Sequence, residues 1–124
     1  MSPFTIINKT KGKPPRLPFS HIKEKIVGED YDLSLIFIGS KTSRTLNKNY
    51  RKKDKPADIL SFPLSRSEGE IFIDLSQSKK RAPEYDRSYK GFVGFLFIHG
   101  LLHLKGFEHS SKMEREEKKF CKIF

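Results

Sequence analysis

The sequence predicts a single α/β (α+β) domain in which a small mixed sheet of about four strands packs with about five helices. Two observations predict it. Segments of strand and helix character alternate through much of the chain, and the longest apolar stretch, residues 92–104, has the length of a buried helix. The 124 residues suit one domain, and a chain of this size can bury a core without disulfides. We therefore treat residues 1–124 as one domain.

The first half of the chain alternates strand and helix patterns. The predicted elements are strands at residues 4–7 and 33–38 and helices at residues 20–27 and 41–50. A basic loop at residues 8–18 follows the first strand, because its three prolines and its glycine exclude regular structure. Ser20 is the predicted cap of the first helix and Gly28 its stop. Leu46 and Tyr50 share one face of the second helix.

The second half contains a predicted hairpin followed by helices. The predicted elements are strands at residues 58–62 and 70–74 and helices at residues 75–82, 88–105 and 111–120. Pro63 is expected to end its strand, and turn residues at 65–69 predict an antiparallel pair that makes the sheet mixed. Pro83 is expected beyond the short helix. The helix at 88–105 is apolar almost all round and ends at Gly106, which predicts a central, buried position.

The positive charge of the chain is concentrated near its start. There are 25 Lys and Arg residues against 15 Asp and Glu, a formal net charge of +10. Residues 1–55 carry 13 of the bases and 5 of the acids, and the densest run is 41–55. Such a local excess attracts polyanions, of which nucleic acid is the leading candidate. Charge alone leaves an ordinary solvated surface equally open.

The remaining composition excludes several classes of protein. A single cysteine, Cys121, excludes an intrachain disulfide and a cysteine-rich zinc module. The first apolar stretch is too short for a secretory signal, and the longest is shorter than the ~20 residues of a membrane span. We expect a cytoplasmic protein with no membrane partner.

Three of the four histidines lie within eleven residues. His99 and His103 are four residues apart and project from one face of the predicted helix. Gly106 can then reverse the chain so that His109 returns as a third ligand, as in the metzincin signature. Three imidazoles with one open position predict a catalytic zinc site with a single ion. Imidazole also suits nickel, copper and iron, so the ligands leave the metal open.

The general base of the zincin proteases is missing from this pattern. Those enzymes carry a glutamate directly after the first histidine, and here that position is Gly100. Glu108, next to the last predicted ligand, is a candidate base or a group that orients that ligand; a solvated loop acid is the alternative.

Two blocks of the sequence resemble one family. The run His-Gly-Leu-Leu-His-Leu-Lys-Gly-Phe-Glu-His resembles the HGxLHLxGYDH signature of the YbeY endoribonucleases, the bacterial rRNA maturation factors. Upstream, Asn47, Tyr50, Arg51, Asp54 and residues 58–63 resemble that family's NxxYRxxDxxTDVLSFP block. Departures are mild: Ala57 replaces Thr, Glu70 and Glu108 replace Asp, and Phe107 replaces Tyr.

The resemblance implies a zinc-dependent endoribonuclease that cleaves single-stranded RNA in rRNA maturation and ribosome quality control. It implies zinc on His99, His103 and His109, and a catalytic role for Arg51 facing the metal. It also implies ribosomal RNA and the small ribosomal subunit as partners, with no small-molecule cofactor. The predicted RNA-binding residues are Lys48, Arg51, Lys52 and Lys53. Two alternatives stay open: a metal-stabilised RNA-binding assembly factor with little catalysis, and a zinc peptidase or other hydrolase.

Overall fold

A computed structural model describes residues 3–107 and 110–123. Five α-helices, four strands and one 3-10 turn occur in these two stretches, and the predicted α/β class with a mixed sheet is confirmed. The strands are β1 (Phe4–Asn8), β2 (Asp32–Ile38), β3 (Ile59–Ser65) and β4 (Glu68–Asp74). The helices are α1 (Phe19–Ile26), α2 (Ser40–Arg51), α3 (Leu75–Arg81), α4 (Tyr89–Leu104) and α5 (Ser111–Ile123), with the 3-10 turn at Ala82–Tyr85.

The sheet has the order β1-β2-β4-β3. β1, β2 and β4 run parallel, and β3 pairs antiparallel with β4 through the predicted hairpin. β3 is therefore an edge strand. This position explains why the expected end of the strand at Pro63 was wrong: Pro63 pairs with Gly69, and the strand continues to Ser65 past an irregularity in register. Proline has no N–H to donate. On an edge strand the N–H side of a residue can face solvent, so a proline there need not interrupt the hydrogen bonds to the neighbouring strand.

The two faces of the sheet carry different helices. Strand side chains alternate between faces, and the register sets Ser61 and Ile71 on one face and Leu60 and Phe72 on the other. The first face packs against α1 and α4 in the main hydrophobic core. The second packs against α2, which buries Ser43 against β4. Residues on α2 and α4 therefore approach each other only around the edge of the sheet.

α4 occupies the centre of the protein. Its residues Phe92, Phe97 and Leu101 have no exposed surface, and α5 packs on its outer side. Burial on all sides is what its apolar composition predicts. Ser88 caps its first turn by accepting a hydrogen bond from the Gly91 amide. Within residues 3–107 and 110–123, no helix is both long and apolar enough to span a bilayer.

One further local expectation was wrong. Ser20 lies inside α1, whose cap residue is Pro18 and makes no side-chain hydrogen bond, although Gly28 does stop the helix with φ of +99°. On α2, Leu46 is half-buried and Tyr50 is exposed, and the buried face of the helix is the one that carries Ser43 and Asn47. Polar side chains take that face because they hydrogen-bond neighbouring segments. Pro83 lies beyond α3, as expected, within the 3-10 turn that continues from it.

Gly100 allows α4 to lie directly on the sheet. A Cβ at this position would stand 2.8 Å from Ile59 Cδ1 and 3.1 Å from Ile71 Cδ1. A Cβ at Gly94, in the same helix, would meet only Leu17 at 3.7 Å, which is ordinary contact. The close approach of α4 to the sheet therefore depends on glycine at position 100, whereas position 94 has room for a larger side chain.

Replacing each of these two glycines by alanine separates the gain in helix propensity from the cost of overpacking the contact between α4 and the sheet. Alanine favours a helix interior over glycine by about 1 kcal/mol, so Gly94→Ala should raise the free energy of unfolding by up to that amount. Gly100→Ala carries the same gain but overpacks the helix–sheet contact, and we expect it to be about 1–3 kcal/mol less stable than Gly94→Ala. Urea unfolding of the two variants measures the difference, and equal stabilities would contradict a tight contact at Gly100.

Candidate active site

Two histidines of α4 face each other beside β3. His99 Nε2 and His103 Nε2 are 3.0 Å apart, as the four-residue spacing on a helix predicts. The other ring nitrogen of each histidine has an oxygen partner: His99 Nδ1 is 2.9 Å from Glu117 Oε1, and His103 Nδ1 is 3.0 Å from the Phe107 carbonyl oxygen. Both oxygens are acceptors, so each Nδ1 donates its proton outward and the two Nε2 atoms are directed at each other.

This arrangement fits a divalent metal ion. Two lone pairs at this distance repel unless a cation or a proton lies between them. Two nitrogen ligands of a tetrahedral zinc ion, each 2.0–2.1 Å from the metal, stand about 3.3 Å apart. In the part of the chain that the structure describes, no three metal-ligating side chains come together. The predicted third ligand, His109, and the candidate base Glu108 lie outside the described residues.

Glu117 is a site residue that the motif analysis missed. It lies on α5, is buried, and accepts the Nδ1–H of His99. A carboxylate behind a histidine fixes the tautomer of the ring and raises the basicity of its other nitrogen. The signal in the sequence was weak, because Glu117 is one of several charged residues on an amphipathic helix and only packing against α4 distinguishes it.

Arg51 meets the histidines in one cleft. The cleft has a volume of about 190 Å³ and is lined by Arg51, Asp58, Ile59, Ser61, His99, Gly100 and His103. Arg51 is exposed at the C-terminal end of α2, on the opposite side of the sheet from α4. The segment that joins α2 to β3 passes around the edge of the sheet. The fold thereby unites two regions that are distant in sequence.

A glutamate in place of Gly100 would point into the sheet instead of into this cleft. The direction of a Cβ there leads to Ile59 and Ile71, so the base position of the zincins is occupied by the helix–sheet contact. The carboxylate that lines the cleft is Asp58, for which we had predicted no role. Its Oδ2 accepts from Arg81 Nη1 at 2.7 Å and its Oδ1 from the Ile59 amide at 2.9 Å, which holds it in place.

Two polar contacts hold the α2 end of the cleft. Asn47 is buried, and its side-chain Nδ2 donates to the Lys55 carbonyl at 2.9 Å. The main-chain carbonyl of Asn47 accepts from the Lys53 amide. On the same face of α2, Ser43 donates to the buried Asp74 at 2.6 Å. These bonds attach α2 to the sheet and fold the segment after Arg51 back onto the helix.

The predicted RNA-binding residues form an exposed basic surface beside the cleft. Lys48, Arg51, Lys52 and Lys53 all have exposed side chains. The acid within the run, Asp54, is paired with Arg44 at 2.7 Å. The hydrogen bond from Arg44 lowers the pKa of Asp54 and raises that of Arg44. One base thus offsets the acid, and the remaining bases give this surface its positive charge.

Comparison with known proteins identifies the family of this chain. A family model described as endoribonuclease YbeY matches residues 17–122. The chain belongs to the YbeY endoribonuclease family. An endoribonuclease YbeY of Oceanobacillus iheyensis is 36% identical over 121 residues, covering 86% of this chain and 77% of that protein. One from Acholeplasma laidlawii is 38% identical, covering 75% and 71%. A protein from Thermotoga maritima, solved in solution, has a TM-score of 0.71 at 27% identity, covering 96% of this chain and 87% of that one.

The block of the YbeY family that contains Asn47 and Arg51 is tied together by Asn47, and we expect its order to depend on that residue. Asn47→Ala removes the bond to the Lys55 carbonyl, and one buried hydrogen bond is worth about 1 kcal/mol. We expect native-state trypsin cleavage at Lys52 and Lys53 to accelerate roughly 5-fold. Asn49→Ala, an exposed neighbour on α2, is the control and should cleave as the unaltered protein does. Equal rates in the two variants would show that Asn47 does not order this segment.

Proposed function

We propose that this protein is a metal-dependent endoribonuclease that cleaves single-stranded RNA during ribosomal RNA maturation. The observation that carries the proposal is the shared cleft, in which Arg51 stands with His99 and His103. The relatives are named endoribonucleases, which indicates cleavage of RNA as the class of reaction. A basic surface that leads to the cleft is what a polyanionic substrate requires.

Arg51 binds the scissile phosphate in this proposal. A guanidinium offers two parallel N–H donors to a phosphate, which fixes its orientation, and its charge offsets the negative charge that builds up in the transition state. Lys48, Lys52 and Lys53 hold neighbouring phosphates as point charges. Asp58 shares the cleft, and its carboxylate limits phosphate binding to the side where Arg51 stands.

We assign one zinc ion to His99, His103 and His109, with nickel or another divalent metal as a substitute. The support is the pair of facing Nε2 atoms and the carboxylate behind His99. A metal bound there polarises a phosphate oxygen or lowers the pKa of a bound water. Glu117 keeps the His99 ring oriented, and the Phe107 carbonyl does the same for His103.

An enzyme that cleaves ribosomal RNA during its maturation acts in ribosome assembly. We propose ribosomal RNA and the small ribosomal subunit as its partners, in the cytoplasm. The support is the membership in the YbeY family together with the exposed bases at residues 48–53.

Replacing Arg51 with glutamate tests the proposed reaction. Arg51→Glu reverses the charge at the phosphate, so we expect cleavage of a single-stranded RNA to fall by about 100-fold or more with unchanged metal content. Arg66→Glu, in the exposed β3–β4 turn, changes the net charge equally and should cleave at nearly the normal rate. Retained cleavage in Arg51→Glu would reject the assignment.

The missing base at Gly100 favours one alternative, a metal-stabilised assembly factor that binds RNA without cutting it. His99→Ala distinguishes the two functions. If the pure protein cleaves RNA and His99→Ala binds RNA but does not cleave it, the assembly-factor hypothesis is rejected. If the unaltered, metal-loaded protein binds RNA and produces no cleavage, the endoribonuclease proposal fails.

The metal site predicts different effects for two glutamates of α5. Removing a carboxylate that orients a histidine ligand weakens metal binding about 10–100-fold, so Glu117→Gln should raise the zinc dissociation constant by that factor. Glu114→Gln changes an exposed residue of the same helix and should have little effect. Chelator competition with Zn²⁺ measures both, and equal affinities would contradict the proposed role of Glu117. His103→Ala should lose the ion altogether.

A further inference from the structure

An exposed aromatic ring stands next to the proposed phosphate-binding arginine. Tyr50 directly precedes Arg51 and is 66% exposed, the largest exposure among the large hydrophobic side chains that the structure describes. Its ring lies 5.0 Å from that of Phe62, tilted by 56°. Phe62 is half-buried and meets Phe72 edge-on at 5.8 Å. The Tyr50 ring thus has an aromatic neighbour in Phe62 while much of it remains open to solvent.

The surroundings of this ring are positively charged. Lys48, Arg51, Lys52 and Lys53 are exposed on the same end of α2 and the segment after it. The nearby acid, Asp54, is paired with Arg44. A solvent-exposed aromatic ring within a cluster of bases is the combination by which proteins hold single-stranded nucleic acid: charges follow the backbone and the ring stacks a base.

The position of the ring relative to the cleft is defined by the edge strand. Phe62 and Ser61 are neighbours on β3 and point to opposite faces of the sheet, and Ser61 lines the cleft. Arg51 reaches the cleft from the same helix end that carries Tyr50. A strand of RNA with one phosphate at Arg51 therefore has a neighbouring base within reach of Tyr50 as it crosses the β3 edge.

We propose that Tyr50, supported by Phe62, stacks an unpaired base of the RNA next to the phosphate bound by Arg51. We call this pair the Tyr50–Phe62 platform. The proposal rests on the proposed endoribonuclease function and adds a preference to it: the platform selects single strands, because a base must be unstacked from its neighbours to lie on the ring. Stacking on a ring face requires no particular base, so the platform contributes affinity without sequence readout.

A second exposed tyrosine provides the contrast. Tyr85 is 46% exposed and stacks on Phe92 at 5.0 Å in a cleft of about 330 Å³ beside His99. That cleft is lined by the carboxylates of Asp58, Glu114 and Glu117 and by Arg81, which is paired with Asp58 at 2.7 Å. Its acids outnumber its bases, and such an excess repels a phosphate backbone. Arg81 lies 5.4 Å from the centroid of the Tyr85 ring and donates to its hydroxyl at 2.9 Å. Tyr85 is thus an exposed tyrosine whose ring already has a cationic neighbour in an acidic cleft, and it is the control for Tyr50.

The test measures binding and stacking separately from cleavage. The probe is a 2′-O-methyl oligonucleotide of twelve residues carrying one 2-aminopurine, with its integrity checked after each titration. Anisotropy gives the affinity, and quenching of 2-aminopurine reports stacking on a ring. Losing one stacked base weakens binding roughly 5- to 100-fold, so we expect that loss and reduced quenching in Tyr50→Ala. Tyr50→Phe keeps the ring and should restore both, while Tyr85→Ala should bind normally.

Salt dependence distinguishes stacking from charge. Tyr50→Ala should leave the slope of log affinity against log salt unchanged, whereas Lys52→Gln should reduce it by about 0.7. Normal binding and quenching in Tyr50→Ala, or equal losses in Tyr50→Ala and Tyr85→Ala, overturn the platform. If the unaltered protein still cleaves unmodified RNA, the proposed function survives that result. If the unaltered protein neither binds nor cleaves RNA, both proposals fail together.

Discussion

The close contact between α4 and the sheet is the constraint on which the rest of the structure depends. α4 is apolar on nearly every side, and it can be buried only if the sheet, α1 and α5 surround it. At Gly100 the helix backbone comes so near to Ile59 and Ile71 that even a methyl group would crowd them. That approach sets how far His99 and His103 stand from the edge strand, and hence the width of the cleft they share with Arg51.

The same contact explains the chemistry of the site. In the zincins the residue after the first histidine is a glutamate that serves as base, and it must face the metal. Here the corresponding direction leads into the core. The polar groups that stand near the two histidines therefore come from other elements: Arg51 from α2, Asp58 before β3 and Glu117 from α5. Arg51 and Asp58 line the cleft because β3 is an edge strand, around which the opposite sides of the sheet can meet. Glu117 reaches His99 because α5 packs on α4.

Sequence patterns predicted the elements well and their contacts less well. The strand and helix order, the antiparallel hairpin and the buried α4 are consequences of local composition, which a pattern can report. The errors arose where tertiary packing overrides local preference. Pro63 continues its strand because β3 has a free edge. The buried face of α2 was not predicted, because Ser43 and Asn47 are buried through their bonds to Asp74 and to the Lys55 carbonyl. Glu117 was missed because its role depends on a contact between two helices.

The sequence by itself determined the fold class, the facing pair His99 and His103, and the family to which the chain belongs. Spacing on a helix and a specific motif are local properties, and they need no partner from elsewhere in the chain. Only the tertiary structure decided that Arg51 stands in the cleft of those histidines, that Glu117 orients one of them, and that Tyr50 remains exposed beside the basic surface. These relations join α2, α4 and α5, and they follow from how the helices pack around a sheet edge, which no local pattern records.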